Sequence, residues 1–375
     1  MRRVGEIKAH SPLPDAQQSC FPAVYEELPP DLPRHGPLRM RGPAIVAWVA
    51  ALLLMAVPAA ARPRYAAILM TADTGEVLYS SNADLALHPA SITKMMTLYL
   101  TFEALESGRL KLTDRVTWSH HAAAQQPTKL GLAPGRSLSV DEVIRAIAVK
   151  SANDAAVALA ERIDGSEKAF AAHMTREAKR LGMSHTLFVN ASGLSNPAHV
   201  TTARDIALLA SALIHHFPQR YRYFSTASFQ FGTRRYVNHN HLLGKVMGVD
   251  GIKTGFTNDA GWTLAASAER GGQRLIAVVL GARSSATRDK DVEHLLDLGF
   301  ETLARRRSGQ AFDVAANFHS LGAGIPGRTG AATGSGDEET ATRSPARRHS
   351  PRRAHKTSTA KKHVTTRKTV HKKKR

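Results

Sequence analysis

The chain is 375 residues long and 43% hydrophobic, enough to bury the core of one large domain or two modest ones. Its net charge of +20 is unevenly spread: residues 341–375 hold fourteen Lys or Arg and no acid, which leaves +6 for everything before them. The basic balance therefore describes a tail and not the body. The single cysteine, Cys20, precedes an export-like segment, so a mature chain starting after that segment has neither disulfides nor thiolate metal ligands.

Residues 1–39 are Pro-rich and without periodicity, which reads as a disordered extension or as a start placed ahead of the true initiator, Met40. Residues 40–61 read as a signal peptide. Arg39 and Arg41 supply its positive start, Ala44 to Val57 the apolar run, and Ala59-Ala60-Ala61 the small-residue cleavage pattern. Fourteen apolar residues fall short of the ~20 that span a bilayer; an uncleaved anchor is the alternative.

Next, Tyr65 to Met70 predicts a strand, Asp73-Thr74-Gly75-Glu76 a turn, and Val77-Leu78-Tyr79 a hairpin partner. From Ser91 to about Leu105 the spacing predicts a helix with Met95, Leu98, Phe102 and Leu105 on one stripe. Further helices are expected at about 140–148, 153–163, 166–181 and 202–214, with Asp154, Ser166 and Thr201 at or near their starts. Arg274 to Leu280 predicts a strand paired with Thr263–Ser267 across Gly271-Gly272. A last amphipathic helix over 287–304 turns Val292, Leu295, Leu296 and Leu303 inward. Strands at both ends with helices between imply an α+β domain over 62–305, a sheet of distant segments beside an inserted helical subdomain. Residues 306–375 turn Gly/Ser/Thr-rich and then basic, which predicts a disordered tail.

Three short clusters carry the chemistry. Ser91-Ile92-Thr93-Lys94 opens the first predicted helix, and its spacing sets serine and lysine on one face, ~5–6 Å apart at Cβ. A neutral amine there can take the proton of a hydroxyl that is otherwise a poor nucleophile. The helix N-terminus also offers N–H groups to a developing oxyanion. Ser151-Ala152-Asn153 falls in a loop before a helix, where an ordinary N-cap is the plainer reading. In a catalytic reading, Ser151 relays a proton to a leaving amine and Asn153 contacts a substrate amide. Lys253-Thr254-Gly255 follows a Val249-Asp250-Gly251 turn and precedes the Thr263–Ser267 strand. A cation, a hydroxyl and a residue without Cβ suit an edge strand along which a substrate backbone lies, Lys253 and Thr254 holding a carboxylate. Each cluster alone is a weak signal. S-x-x-K, S-x-N and K-T-G in this order point to serine enzymes of the β-lactamase and penicillin-binding kind.

With Ser151 through Glu161, Leu181-Gly182-Met183 and Asn190-Ala191-Ser192-Gly193-Leu194 added, residues 62–304 resemble the low-molecular-mass D-Ala-D-Ala carboxypeptidases of the S11 peptidase family. The resemblance implies a β-lactamase/DD-peptidase-like fold, with Ser91 acylated, Lys94 accepting its proton, Ser151 relaying the proton and Lys253 binding the substrate carboxylate. It also places Arg288 near that carboxylate and makes the backbone N–H groups of Ser91 and Phe256 the oxyanion hole. Peptidoglycan stem peptides are the implied substrate and β-lactams covalent inhibitors, with no cofactor. Many members continue into a small β-domain and an amphipathic membrane helix, where this chain has low-complexity sequence and a basic tail. Many also carry Asn-Pro where Asn190-Ala191 stands.

A D,D-endopeptidase cutting cross-links would use the same motifs, and sequence leaves that alternative open. A class A β-lactamase is the other, deacylating through a glutamate about 34 residues past S-x-N. Here that distance falls on Leu187-Phe188-Val189-Asn190, without an acid. His239-x-His241 has metal-ligand spacing, yet Ser/Lys chemistry needs no metal and Asn238 to Leu243 resembles an Asn-x-Asn-x-Leu-Leu segment of the same family, so none is expected. The basic tail would suit nucleic acid in a cytosolic protein. Behind an export signal, in the periplasm or at the cell envelope, its expected partners are anionic envelope polymers, with a merely solvated tail as the plain alternative.

Overall fold

The computed structural model describes residues 65–319, so the N-terminal extension, the signal segment and the tail from residue 320 onward lie outside the described residues. Strands β1 (Ala66–Thr71) and β2 (Val77–Ser81) form the expected hairpin. A 3-10 turn, Ala90–Thr93, leads into α1 (Lys94–Glu106), which is buried on nearly every side and not along one stripe. A helix apolar almost all round is a central one. The short pair β3 (Arg115–Thr117) and β4 (Ser137–Ser139) precedes α2 (Val140–Arg145), which runs into a π-helical turn, Ala146–Lys150. Then come α3 (Asn153–Asp164), α4 (Glu167–Arg180), α5 (Ala203–His216) and the hairpin of β5 (Ser228–Phe231) with β6 (Arg234–Val237). The chain returns to the sheet as β7 (Val249–Thr257), β8 (Gly261–Arg270) and β9 (Gln273–Ala282), and closes with α6 (Ser285–Arg307).

The main sheet has five antiparallel strands in the order β2-β1-β9-β8-β7, so distant ends of the sequence pair in its middle. This is the expected α+β arrangement. Arg270 faces Gln273 across Gly271-Gly272, whose φ values of +56° and +71° suit a two-residue hairpin turn that follows the strand twist. Both faces of the sheet are covered. Ala66, Ile68, Met70, Ile276, Val278 and Leu280 join the core with Met95 and Phe102 of α1 and Leu209 of α5. The alternate residues, Ala67, Leu69, Leu275, Ala277 and Val279, pack with Val292, Leu295 and Leu296 of α6. A strand buried on both sides reads as a continuous apolar run, as Arg274–Leu280 does.

The three residues expected at or near helix starts are there: Ser166 caps α4, Thr202 caps α5 directly after Thr201 by accepting from the Asp205 amide, and Asp154 lies in the first turn of α3. The Asp154 carboxylate accepts from the Ala155 amide at 2.9 Å, from Trp118 Nε1 at 3.1 Å and from the amides of Leu130 and Gly131, each at 2.9 Å. One local expectation changes. Val249-Asp250-Gly251 is the first part of β7 and not a turn, because pairing with β8 already begins at Val249. The expected boundary at Arg305 also moves. Helix α6 runs to Arg307, and beyond it Val314 and Phe318 are buried in the α6-side core, Phe318 edge-on to Tyr79. Two apolar anchors at that spacing were hidden inside a stretch whose composition already looked loose. Among the described residues no helix is long and apolar enough to cross a membrane.

Candidate active site

Ser91 sits on the 3-10 turn and Lys94 is the first residue of α1, one turn away and fully buried. Lys94 Nζ lies 2.9 Å from Ser91 Oγ, and donates to Asn153 Oδ1 at 2.7 Å and to the carbonyl of Ser192 at 2.6 Å. Burial, and next the nearby Lys253 cation, hold the Lys94 ammonium well below its ordinary pKa. The neutral form then dominates more readily, and its hydrogen bonds are fixed. A neutral amine has two N–H bonds and one lone pair; the two carbonyl acceptors take both N–H bonds. The lone pair is left facing Ser91 Oγ, which turns that hydroxyl into the donor.

The second cluster converges on the same nitrogen. Asn153 opens α3 and gives its carbonyl to Lys94, while its Nδ2 donates to the Gln126 carbonyl at 2.9 Å. The N-cap position is Ala152, without a side-chain bond, so capping is not what this cluster does. Ser151 follows the π-helical turn at φ +61°, a left-handed conformation that costs an L-residue about 1 kcal/mol. Ala90, just before Ser91, shares it at φ +49°. The Ser151 hydroxyl is buried and, among the described residues, has no hydrogen-bond partner. Strain and an unmet polar group of this kind persist only where the surroundings over-determine them.

The third cluster lies on β7, the edge of the sheet. Lys253 is buried, and burial followed by the charge of Arg288 lowers its ammonium to about 7. Its Nζ donates to the carbonyl of Thr254, itself buried, at 2.9 Å. Arg288 reaches this edge from the first turn of α6, held by Asp289 Oδ1 through Nε at 2.9 Å and Nη2 at 2.6 Å. A Cβ on Gly255 would stand 2.8 Å from the Ser91 amide nitrogen and 2.6 Å from Thr263 Oγ1, so only a bare residue lets β7 lie against Ser91. Phe256, next in the strand, is 47% exposed and rests on Trp262 with ring centres 4.4 Å apart.

Two participants escaped sequence reasoning. The Ser192 carbonyl is one, carried by a loop in which Asn190 Oδ1 accepts the amides of Ser192 and Gly193 at 3.2 and 2.7 Å. Thr97 Oγ1 ties the same loop to α1 through the Ala191 carbonyl at 2.7 Å. The Ala191 amide donates to Glu167 Oε1 at 3.0 Å, a bond that proline could not make at this place. His199 is the other. Its Nδ1 accepts from the Val189 amide at 3.3 Å, which leaves the proton on Nε2 to be donated to Thr93 Oγ1 at 2.9 Å. Burial first, then His88 and Lys94, lowers its pKa to about 4, so it stays neutral and braces the loop against the catalytic turn. A backbone carbonyl leaves no side-chain signature, and His199 has no motif around it. His241 Nδ1 is 3.1 Å from Asp289 Oδ2, and no group of three or more His, Cys, Asp or Glu able to hold a metal occurs among the described residues.

The profile of the Peptidase S11 family, D-alanyl-D-alanine carboxypeptidase, matches residues 56–284. The chain belongs to this family. All three clusters fall inside the matched region, and Arg288 lies just beyond it. The D-alanyl-D-alanine carboxypeptidase DacC of Escherichia coli is 43% identical over 240 residues, 62% of this chain and 60% of its own. DacF of Bacillus subtilis is 40% identical over 245 residues, 62% of this chain and 61% of its own. The chain thus spans about three fifths of the length of these curated relatives. Penicillin-binding protein D2 of Listeria monocytogenes, solved in its ampicillin-bound form, superposes with a TM-score of 0.56 at 37% identity, covering 63% of this chain and 96% of that one. The fold is that of the DD-peptidases and penicillin-binding proteins.

Proposed function

We propose that the chain is a serine D-alanyl-D-alanine carboxypeptidase that removes the terminal D-alanine from peptidoglycan stem peptides. The observation that carries this reading is the buried Lys94 amine, its two N–H bonds spent on carbonyls and its lone pair facing Ser91 Oγ. Lys94 takes the hydroxyl proton as Ser91 Oγ attacks the carbonyl of the penultimate D-alanine. The backbone N–H groups of Ser91 and Phe256 stabilise the oxyanion. Lys253, Thr254 and Arg288 hold the free carboxylate, Gly255 leaves room for the substrate backbone, and Asn153 contacts its amide. The proton reaches the departing amine through Ser151, whose unmet hydroxyl is available for that transfer. Water then hydrolyses the ester.

β-Lactams enter as covalent inhibitors on Ser91, since the segment Leu187 to Asn190 offers no acid to hydrolyse the adduct. Purified protein is incubated with a pentapeptide ending in D-Ala-D-Ala, with cross-linked muropeptides and with labelled penicillin. D-Alanine release and a persistent adduct are expected, both falling at least about a thousandfold in Ser91→Ala. Labelling retained by that variant removes Ser91 from the mechanism, and cleavage of cross-links alone makes the enzyme an endopeptidase.

Residues 40–61 support export to the periplasm or envelope, and the fourteen cations of residues 341–375 support binding to anionic envelope polymers. A truncation made after His319 keeps the packed Phe318 and should pellet less with envelopes at low salt, with unchanged kinetics on a soluble peptide. Equal pelleting of both forms would leave the tail merely solvated.

A further inference from the structure

A cavity of about 280 Å³ is lined by Lys150, Arg235, Tyr236, Asn238, His239 and His241 among others, and His239 lies near enough to Lys253 and Arg288 to feel their charges. The cavity's position follows from β7. Gly255 touches the Ser91 amide, Lys253 comes next toward the strand start, and Gly251 beyond it gives its carbonyl to Asn240 Nδ2 at 2.9 Å. Moving from the nucleophile past Lys253 therefore leads to the segment Asn238 to His241 that walls the cavity. His241 contacts Asp289, the carboxylate that holds Arg288, so the two sites share a wall.

The cavity is electropositive. Among the described residues neither Lys150 nor Arg235 has a carboxylate partner; Arg235 Nε donates only to Ser228 Oγ at 3.0 Å, and Lys150 Nζ rests 5.3 Å from the centre of the Tyr236 ring. No Asp or Glu lines the cavity. His239 carries no charge there: burial, then Lys253 and Lys150, lowers its pKa to about 3. A neutral imidazole between cations donates a hydrogen bond without adding charge.

We propose that this cavity is a subsite for a second carboxylate, carried by the residue that leaves from the scissile bond. The inference rests on the carboxypeptidase reading in one respect: Lys253 and Arg288 holding the α-carboxylate put the leaving residue on this side. A side chain that reaches past Lys253 from there meets Lys150 and Arg235, which have no carboxylate partner among the described residues. Leaving residues with an acidic side chain are preferred over neutral ones of equal size.

The full chain is tested on three acylated peptides ending in D-Ala-D-Ala, D-Ala-D-Glu and D-Ala-D-Gln, by release of the last residue. D-Glutamate should leave with kcat/KM about fivefold above D-glutamine, the scale of a partly solvated charge contact. Lys150→Gln with Arg235→Gln should erase that ratio and leave D-alanine release unchanged, which also reports that the variant folds. Arg235→Gln alone, on the exposed hairpin, should lose part of it. Equal rates for D-glutamate and D-glutamine in the unsubstituted chain, or a preference that survives both substitutions, would overturn the subsite. Equilibrium binding of the same peptides to Ser91→Ala separates the two readings. A glutamate preference in binding without release of any residue would break the reaction and keep the subsite, and release without preference would break the subsite alone.

Discussion

The two glycines that crowd their neighbours most usefully stand on opposite sides of the sheet. On the α6 side, a Cβ at Gly299 would come within 2.7 Å of Leu69 Cδ2 and of Leu275 Cδ1, so the bare residue lets a helix close on a purely apolar surface. At the β7 edge, Gly255 brings a strand onto Ser91 amid three buried basic side chains, Lys94, Lys253 and Arg288, each with its pKa lowered first of all by burial. The same edge holds the left-handed Ala90 and Ser151 and the unmet Ser151 hydroxyl. The first surface is apolar, and the second gathers buried basic groups, left-handed residues and an unmet hydroxyl. Strain and unmet polar groups of this kind persist only where the surrounding frame holds them.

Small substitutions on the two sides should therefore fail differently. Gly255→Ala should cut kcat/KM on a D-Ala-D-Ala peptide by about a hundredfold, because its Cβ meets the Ser91 backbone nitrogen and pushes β7 off Ser91, and should lower the melting temperature as well. A large melting loss with intact turnover would break the comparison. Arg288→Ala should cost about ten- to a hundredfold on a substrate with a free carboxylate and far less on its amide analogue. Equal losses on both would show that Arg288 acts on the frame and not on the substrate.

The effect of pH sharpens the same point. Lys253 titrates near 7, so it is a cation below that pH and loses its charge above it. Affinity for a free carboxylate should therefore fall as pH rises through about 7, by up to about tenfold per unit in KM. Lys94 works in the opposite sense, since its neutral form is the base and gains with rising pH. KM and kcat should then move separately, and the amide analogue should show no KM change. A KM that stays flat for both substrates would remove Lys253 from carboxylate binding. Smallest in activity is Gly299→Ala. The added methyl should cost about 1–3 kcal/mol of stability by overpacking, with kcat/KM unchanged. That is a melting loss of several degrees for a body of this size, roughly 2–4 °C per kcal/mol.

Much of this division could be read from residue order, because the rules involved are local. The hairpin turn at Gly271-Gly272, the inward set Val292, Leu295, Leu296 and Leu303, and the Ser91/Lys94 pair all follow from periods of two or 3.6 residues. The three clusters stood out because their signals are the side chains themselves. Failures came where a residue's partner is remote. Asp154 starts a helix as expected, but its bonds to Trp118 and a distant loop were not legible; Val314 and Phe318 lie in a stretch of unpromising composition and are anchors.

By itself, then, the sequence determined the two hairpins of the main sheet, β1 with β2 and β8 with β9, the long helices between and after them, and the Ser91/Lys94 pairing on one turn. Only the tertiary structure decided the state of Lys94. Its direction of hydrogen bonding depends on the carbonyls of Asn153 and Ser192 and on the nearness of Lys253, at sequence separations of 59, 98 and more residues. Local patterns encode which surface a residue shows, because backbone geometry repeats along the chain. Desolvation and charge repulsion depend on whatever the fold brings alongside, and no stretch of sequence records that.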